Sequence, residues 1–247
     1  MDIGINFMFS LIIPTAKRES ARDMGFPTFR TNQFPNHKRE FRESLVIRWG
    51  NSHLFETPSG SIREFKYVAN PSEAIHLNCD KYRARRTFAE VVNTPEDFTS
   101  GVPKGKYAVV RPESHAAGSG FKIVKGPFIV PDWHYASEFV ETDTEYRIWF
   151  ANGKTFVGKR VALNGESEKM ACRSTWGYSY RDVPNKLHKD TLAAAKAINL
   201  IFGAADVLIK RNKYYFLELN SSPSVDAPSV CRFFRENILK YAQSRGF

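Results

Sequence analysis

The sequence predicts an α+β protein, and three observations support that class. Strand pairs are mixed with separate helical stretches instead of alternating with them in regular βαβ order. Asn152-Gly153, the strongest short-range hairpin signal in the chain, lies within the strand pair EYRIWFANGKTFVGKRVAL. Near the end, residues 204–210 and 214–219 are rich in β-branched, aromatic and aliphatic side chains and flank the polar Arg211, Asn212 and Lys213.

Composition bounds the possibilities. At 247 residues, with 42% hydrophobic and 25% charged residues, the chain can bury a core as one large domain or two small ones. A net charge of +10 favours anionic partners such as nucleotide phosphates, nucleic acid or an acidic protein. The basic residues are spread from Lys17 to Arg245 without a dense run, so charge alone does not select nucleic acid. Cys79, Cys172 and Cys231 are odd in number and lack metal-ligand spacing, which argues against a disulfide framework or a zinc site and makes a reducing cytoplasm the expected compartment. The apolar run INFMFSLII is too short to span a bilayer and has neither a basic flank nor a cleavage site, so it reads as a buried first strand.

Punctuation by Pro and Gly divides the chain into three parts: 1–70, a reduced N-terminal lobe; 71–139; and 140–247. The first holds strand candidates at 5–13 and 44–49, separated by the loop-like TNQFPNHKRE. In the second, Pro71-Ser72 opens a helical turn, and Asp80 is a candidate N-cap for KYRARRTFAEVV, which ends before Asn93-Thr94-Pro95. Strands follow at 107–111 and 121–125. The third part begins with the Asn-Gly hairpin. A helix over about 184–200 comes next, with Leu187, Leu192, Ala195 and Ile198 on one face, followed by the second hairpin. A closing helix over 229–242 packs Val230, Phe233, Phe234, Ile238 and Tyr241.

The second hairpin carries the chemistry. If Arg211, Asn212 and Lys213 form the loop, Lys210 pairs with Tyr214 and Asp206 lies opposite Glu218; alternation then puts Asn220 on the same face. Opposed carboxylates repel by roughly 0.2–1 kcal/mol when exposed and more when buried, so a positive group should sit between them. Two carboxylates and an amide oxygen, without Cys or His, suit magnesium or manganese that also takes phosphate oxygens and water. The plainer alternative is a hairpin whose acids face solvent and pair with Lys210, Arg211 or Lys213.

The segment FGAADVLIKRNKYYFLELNSSPS resembles the C-terminal signature of the ATP-grasp superfamily, in particular the ribosomal-protein glutamate ligase and glutathione-synthetase-like branch. The resemblance runs from about Asn70 to the C-terminus. It implies two α+β lobes whose antiparallel sheets grip ATP, preceded by a reduced N-terminal α/β segment. It also implies that Asp206, Glu218 and Asn220 hold Mg2+ or Mn2+. In RPESHAAGSGFKIV, the family's phosphate-covering loop corresponds to Gly118, Ser119 and Gly120, flanked by Arg111, where many members have Lys, and by Lys122. Glu138, Phe139 and Val140 match the adenine-binding hinge, Glu145 the acid near the ribose, and Lys81 a lysine leading into the nucleotide site. Arg160 and Arg173, with Trp176-Gly177, match cations that stabilise the charge of transfer; Arg147 is a further candidate for that work, and its spacing, which puts it on the same strand face as Glu145, also allows a purely structural pair with that acid.

The function so implied is an ADP-forming carboxylate-amine ligase working through an acylphosphate, with ATP and small-molecule or peptide carboxylates and amines as substrates. The compact size and short front end are similar to bacteriophage-encoded members. Two alternatives stay open: a basic module binding single-stranded nucleic acid by stacking bases on Trp49, Trp133, Trp149 and Trp176, and an ATP-grasp scaffold that binds nucleotide without turnover.

Overall fold

The computed structural model describes residues 9–13, 23–26, 28–30, 45–49, 56–57, 60–61, 67–113, 120–142, 144–162, 176–180, 182–225 and 227–246. The polar stretch TNQFPNHKRE, and with it Gly118, Ser119 and Arg173, lies outside these residues.

Strands β1 (Phe9–Ile13), β2 (Thr28–Arg30), β3 (Leu45–Arg48) and β6 (Tyr67–Ala69) form a parallel sheet in the order β2-β1-β3-β6. Every residue of β3 is buried, as expected of a strand covered on both faces. The short strands β4 (Glu56–Thr57) and β5 (Gly60–Ser61) pair as a ribbon. Expected strands at 5–13 and 44–49 correspond to β1 and β3; β2 and β6 were not expected.

Two helices lead out of this sheet. Helix α1 (Ser72–Cys79) is a full two turns where the sequence indicated only a turn. Helix α2 (Lys81–Phe88) starts on Asp80, whose carboxylate accepts a hydrogen bond from the Arg83 amide at 2.9 Å. It stops four residues short of the expected end, at Ala89, and Asn93 then bonds elsewhere.

Strands β7 (Tyr107–Pro112), β8 (Lys122–Lys125) and β9 (His134–Glu138) form an antiparallel sheet in the order β8-β7-β9. Ala108, Val110 and Ala136 face a small core with Phe98 and Val102. Tyr107, Val109, Arg111 and Tyr135 share the opposite face by register.

Strands β10 (Thr144–Ala151), β11 (Lys154–Ala162), β12 (Trp176–Tyr180), β13 (Phe202–Lys210) and β14 (Lys213–Asn220) build the largest sheet, all antiparallel, in the order β12-β11-β10-β13-β14. Asn152 and Gly153 make the turn of the first hairpin with φ of 49° and 72°. Helix α3 (Asn185–Ala197) lies on one face, burying Leu187, Ala195 and Ile198 with Phe88 of α2 against Ile148, Val157, Val207 and Phe216. Helix α4 (Pro228–Ser244) covers the other face, and its Val230, Phe234 and Ile238 join Trp149, Phe202 and Ala204 to Leu45, Ile47 and Trp49 of the parallel sheet. Among the described residues no helix is long and apolar enough to cross a membrane.

The buried tryptophans correct one alternative. Trp49 is fully buried, stacked on Phe202 at 5.5 Å and edge-on to Phe234 at 5.1 Å, and Trp149 lies in the same core. Neither ring can stack on a base, because both supply core volume. Trp133 alone of the described tryptophans is exposed, and the Trp176 side chain lies outside the description.

Candidate functional site

The expected opposition of Asp206 and Glu218 is present, but it arises differently. The turn between β13 and β14 is two residues, Arg211 and Asn212, with φ of 47° and 63°, so Lys210 pairs with Lys213 and Val207 with Phe216. Continued unbroken, that register would place Leu217 opposite Asp206. Leu217 is instead an extra residue in a β-bulge, and beyond it Asp206 faces Glu218 and Ala204 faces Asn220. The bulge also exchanges faces: Phe216 before it and Leu219 after it both enter the core under α3, leaving Glu218 and Asn220 on the other side with Asp206.

On that side the polar groups converge. The Asn220 carboxamide donates to Glu218 at 3.1 Å and to Asp206 at 3.5 Å, while its oxygen accepts from Lys81 Nζ at 3.4 Å. Arg147, in register with Asp206 across β10 and β13, approaches it to 3.8 Å. Arg160 of β11 reaches Asp206 at 3.4 Å and forms a close ion pair with Glu145. All four strands that bear these groups belong to one sheet, so alternation places their side chains together. Arg147 therefore meets an acid on the neighbouring strand, where sequence spacing had suggested its own strand-mate Glu145.

The electrostatics are uneven. Burial raises the Glu218 carboxyl, but Lys81, the Asn220 hydrogen bond, Arg111 and Arg147 outweigh it and hold the group down at about 2. Burial pushes the Glu145 carboxyl up to about 7, with Asp206 and Glu218 adding to the rise and Arg160 and Arg147 opposing it. The site thus gathers Lys81, Arg85, Arg111, Arg147 and Arg160 around Asp206, Glu218 and Glu145. Five cations against three carboxylates suit an anion that brings its own cation.

The donor set fits magnesium or manganese. Asp206 and Glu218 offer hard oxygens, and the Asn220 carboxamide presents either a donor or an acceptor from nearly the same volume. Among the described residues no cluster of three His, Cys, Asp or Glu side chains makes a protein-only metal cage. A cation held here would take its remaining ligands from phosphate and water.

Other expected site residues fall as follows. Arg111 shares its face with Tyr135, next to it in register on β9, and its charge acts on Glu218. Gly120 has φ of 74°, and a Cβ there would come within 3.1 Å of Pro112 Cγ of β7, so the entry into β8 calls for glycine. Lys122 registers with Val110, on the small-core side of the sheet and away from Arg111. At the expected hinge, the Glu138 amide donates to Glu96 O at 2.8 Å and the Phe139 amide to Tyr107 O at 2.9 Å, while Val140 is buried. Glu145 is buried against Arg160.

Sequence reasoning passed over Arg85. It is buried, its guanidinium lies over the Tyr135 ring at 5.6 Å, and its Nε donates to Leu217 O at 3.0 Å. The available signal was its position four residues after Lys81, on the same helix face.

No protein-family model matches the sequence, and no curated protein does. Solved structures do match. The ATP-grasp ligase PsnB, complexed with a minimal precursor, superposes with a TM-score of 0.66 at 12% identity over 90% of this chain and 92% of that one. The macrocyclase MdnC from Microcystis aeruginosa MRC, bound with precursor peptide MdnA, gives 0.64 at 16% identity over 94% and 100%. D-alanine–D-alanine ligase from Bacillus anthracis gives 0.61 at 12% identity over 97% and 99%. Likeness at such identities speaks to architecture, and by its architecture this chain belongs to the ATP-grasp fold.

Proposed function

We propose that the protein is an ATP-dependent carboxylate-amine ligase that releases ADP and phosphate. The observation that supports it most is the convergence of Asp206, Glu218 and Asn220 inside a rim of cations, on a fold shared with ligases. PsnB has been solved with Mg and ADP and with a precursor peptide and AMPPNP, which favours Mg2+ and ATP here and a peptide as one substrate.

In this proposal 71–139 and 140–247 are the two lobes of the grasp and 1–70 a reduced leading lobe. Glu138, Phe139 and Val140 would hold the adenine and Glu145 the ribose. Lys81, Arg111 and the loop of Gly118, Ser119 and Gly120 would neutralise the phosphates, while Lys122, turned to the other face of its sheet, would not take part. Asp206, Glu218 and Asn220 would hold the divalent cation, which when bound draws charge from the phosphate oxygens.

A substrate carboxylate oxygen attacks the γ-phosphorus and the bond to the β-phosphate oxygen breaks, giving an acylphosphate and ADP. The amine lone pair then attacks the acyl carbon. Phosphate leaves with the bonding electrons, the nitrogen loses a proton, and an amide remains. Arg147, Arg160 and Arg173 would stabilise the added negative charge, so the protein acts by positioning and neutralisation alone.

Supplied with Mg-ATP and a library of peptides and amines, the protein is expected to form ADP and phosphate together with amide product. AMP and pyrophosphate would contradict the proposal.

A further inference from the structure

Asp206, Glu218 and Asn220 share a face only because β14 carries a bulge at Leu217, and an edge strand has little of its own to keep such a bulge in place. The outer edge of β14 shows what does. Before the bulge, even-numbered residues turn their polar groups outward: Tyr214 O accepts from Asn93 Nδ2 at 2.8 Å, and the Phe216 amide donates to Asn93 O at 2.9 Å. After it the parity changes. Leu217 O accepts from Arg85 Nε at 3.0 Å and Leu219 O from Lys81 Nζ at 2.8 Å.

The two cations are spaced to select this shifted frame. Four residues of helix advance about 6 Å, and two residues of strand advance about 6.7 Å. Lys81 and Arg85, one turn apart on α2, therefore match two outward carbonyls two residues apart on the antiparallel-running β14. Without the bulge, even-numbered carbonyls would face α2, and carbonyls 217 and 219 would turn inward to β13. Lys81 also touches Asn220 and so belongs to the site itself. Arg85 acts on Glu218 by charge alone; among the described residues its hydrogen bond goes to the Leu217 carbonyl, the Tyr135 ring lies beneath it, and its buried Nη1 has no hydrogen-bond partner.

We propose that Arg85 is a positioning residue: by holding the Leu217 carbonyl it keeps β14 in the bulged register that carries Glu218 and Asn220 to the face of Asp206. This rests on the reading of those three residues as a divalent-cation site. Arg85 touches no reacting group; it acts through the strand.

The test is Mn2+ binding, followed by electron paramagnetic resonance with and without ADP, on the full chain, with folding checked by circular dichroism. Arg85→Met is expected to weaken Mn2+ binding tenfold or more. Arg85→Lys, whose ammonium reaches the same carbonyl, should stay within threefold of wild type. Wild-type affinity in folded Arg85→Met, alongside weakened binding in Asp206→Asn, would overturn the role of Arg85 and leave the cation site standing. Wild-type affinity in Asp206→Asn would remove the cation site, and this inference with it. Should Arg85→Met not fold, Arg85→Lys decides: a tenfold loss in that folded variant overturns the proposal.

Discussion

At the residue scale, Asp206 and Glu218 illustrate how a correct expectation can rest on a wrong path. A three-residue loop without a bulge and a two-residue turn with one give the same pairing beyond Leu217. The loop length was misjudged because Arg211 and Asn212 both adopt left-handed φ, which Arg rarely does. Exchanging Arg211 for Asn, which tolerates that conformation, should stabilise the protein by about 0.5 kcal/mol in urea denaturation. A second residue guards the site from below. A Cβ on Gly203 would lie 2.5 Å from Asn220 O and 2.8 Å from Phe150 Cζ. Gly203→Ala should therefore cost about 1–3 kcal/mol, by the same denaturation, and displace Asn220. Lys81, Arg147 and Arg160 were legible by motif or alternation. Arg85 was not, since its role depends on a strand 132 residues away in sequence.

At the element scale, strongly patterned segments were readable and weakly patterned ones were not. Helices α3 and α4 follow their apolar faces, and the Asn152-Gly153 hairpin follows its turn. Strand β9, HYASE, has little intrinsic strand preference and exists because β7 offers it a partner. Strands β2 and β6, of three residues each, are likewise products of pairing in a parallel sheet whose crossovers leave no short-range signal. Helix α2 matters most for the proposed site, since Asp80 sets where it begins and hence which residues face β14. Asp80→Ala should cost about 1 kcal/mol of stability by loss of the cap, read as a lowered urea midpoint, and weaken Mn2+ binding by loosening the first turn that holds Lys81.

At the scale of the whole molecule, one face of the large sheet serves two purposes. Near α4 its Trp149, Phe202 and Ala204 knit the parallel sheet to the rest through Trp49; further along, the same face turns polar and carries the acids. Trp49→Ala should destabilise the whole molecule by about 3–5 kcal/mol in chemical denaturation, because the cavity opens where two sheets and α4 meet. The bulge marks the chemical end of that face, and it was invisible in a sequence whose alternation looks continuous. The most direct test of the central claim is calorimetric titration of ADP with and without Mg2+, in wild type and in Asp206→Asn. Wild type is expected to bind at least tenfold more tightly with Mg2+, and Asp206→Asn to show no such gain. An equal Mg2+ effect in both proteins would contradict the placing of the cation at Asp206, Glu218 and Asn220.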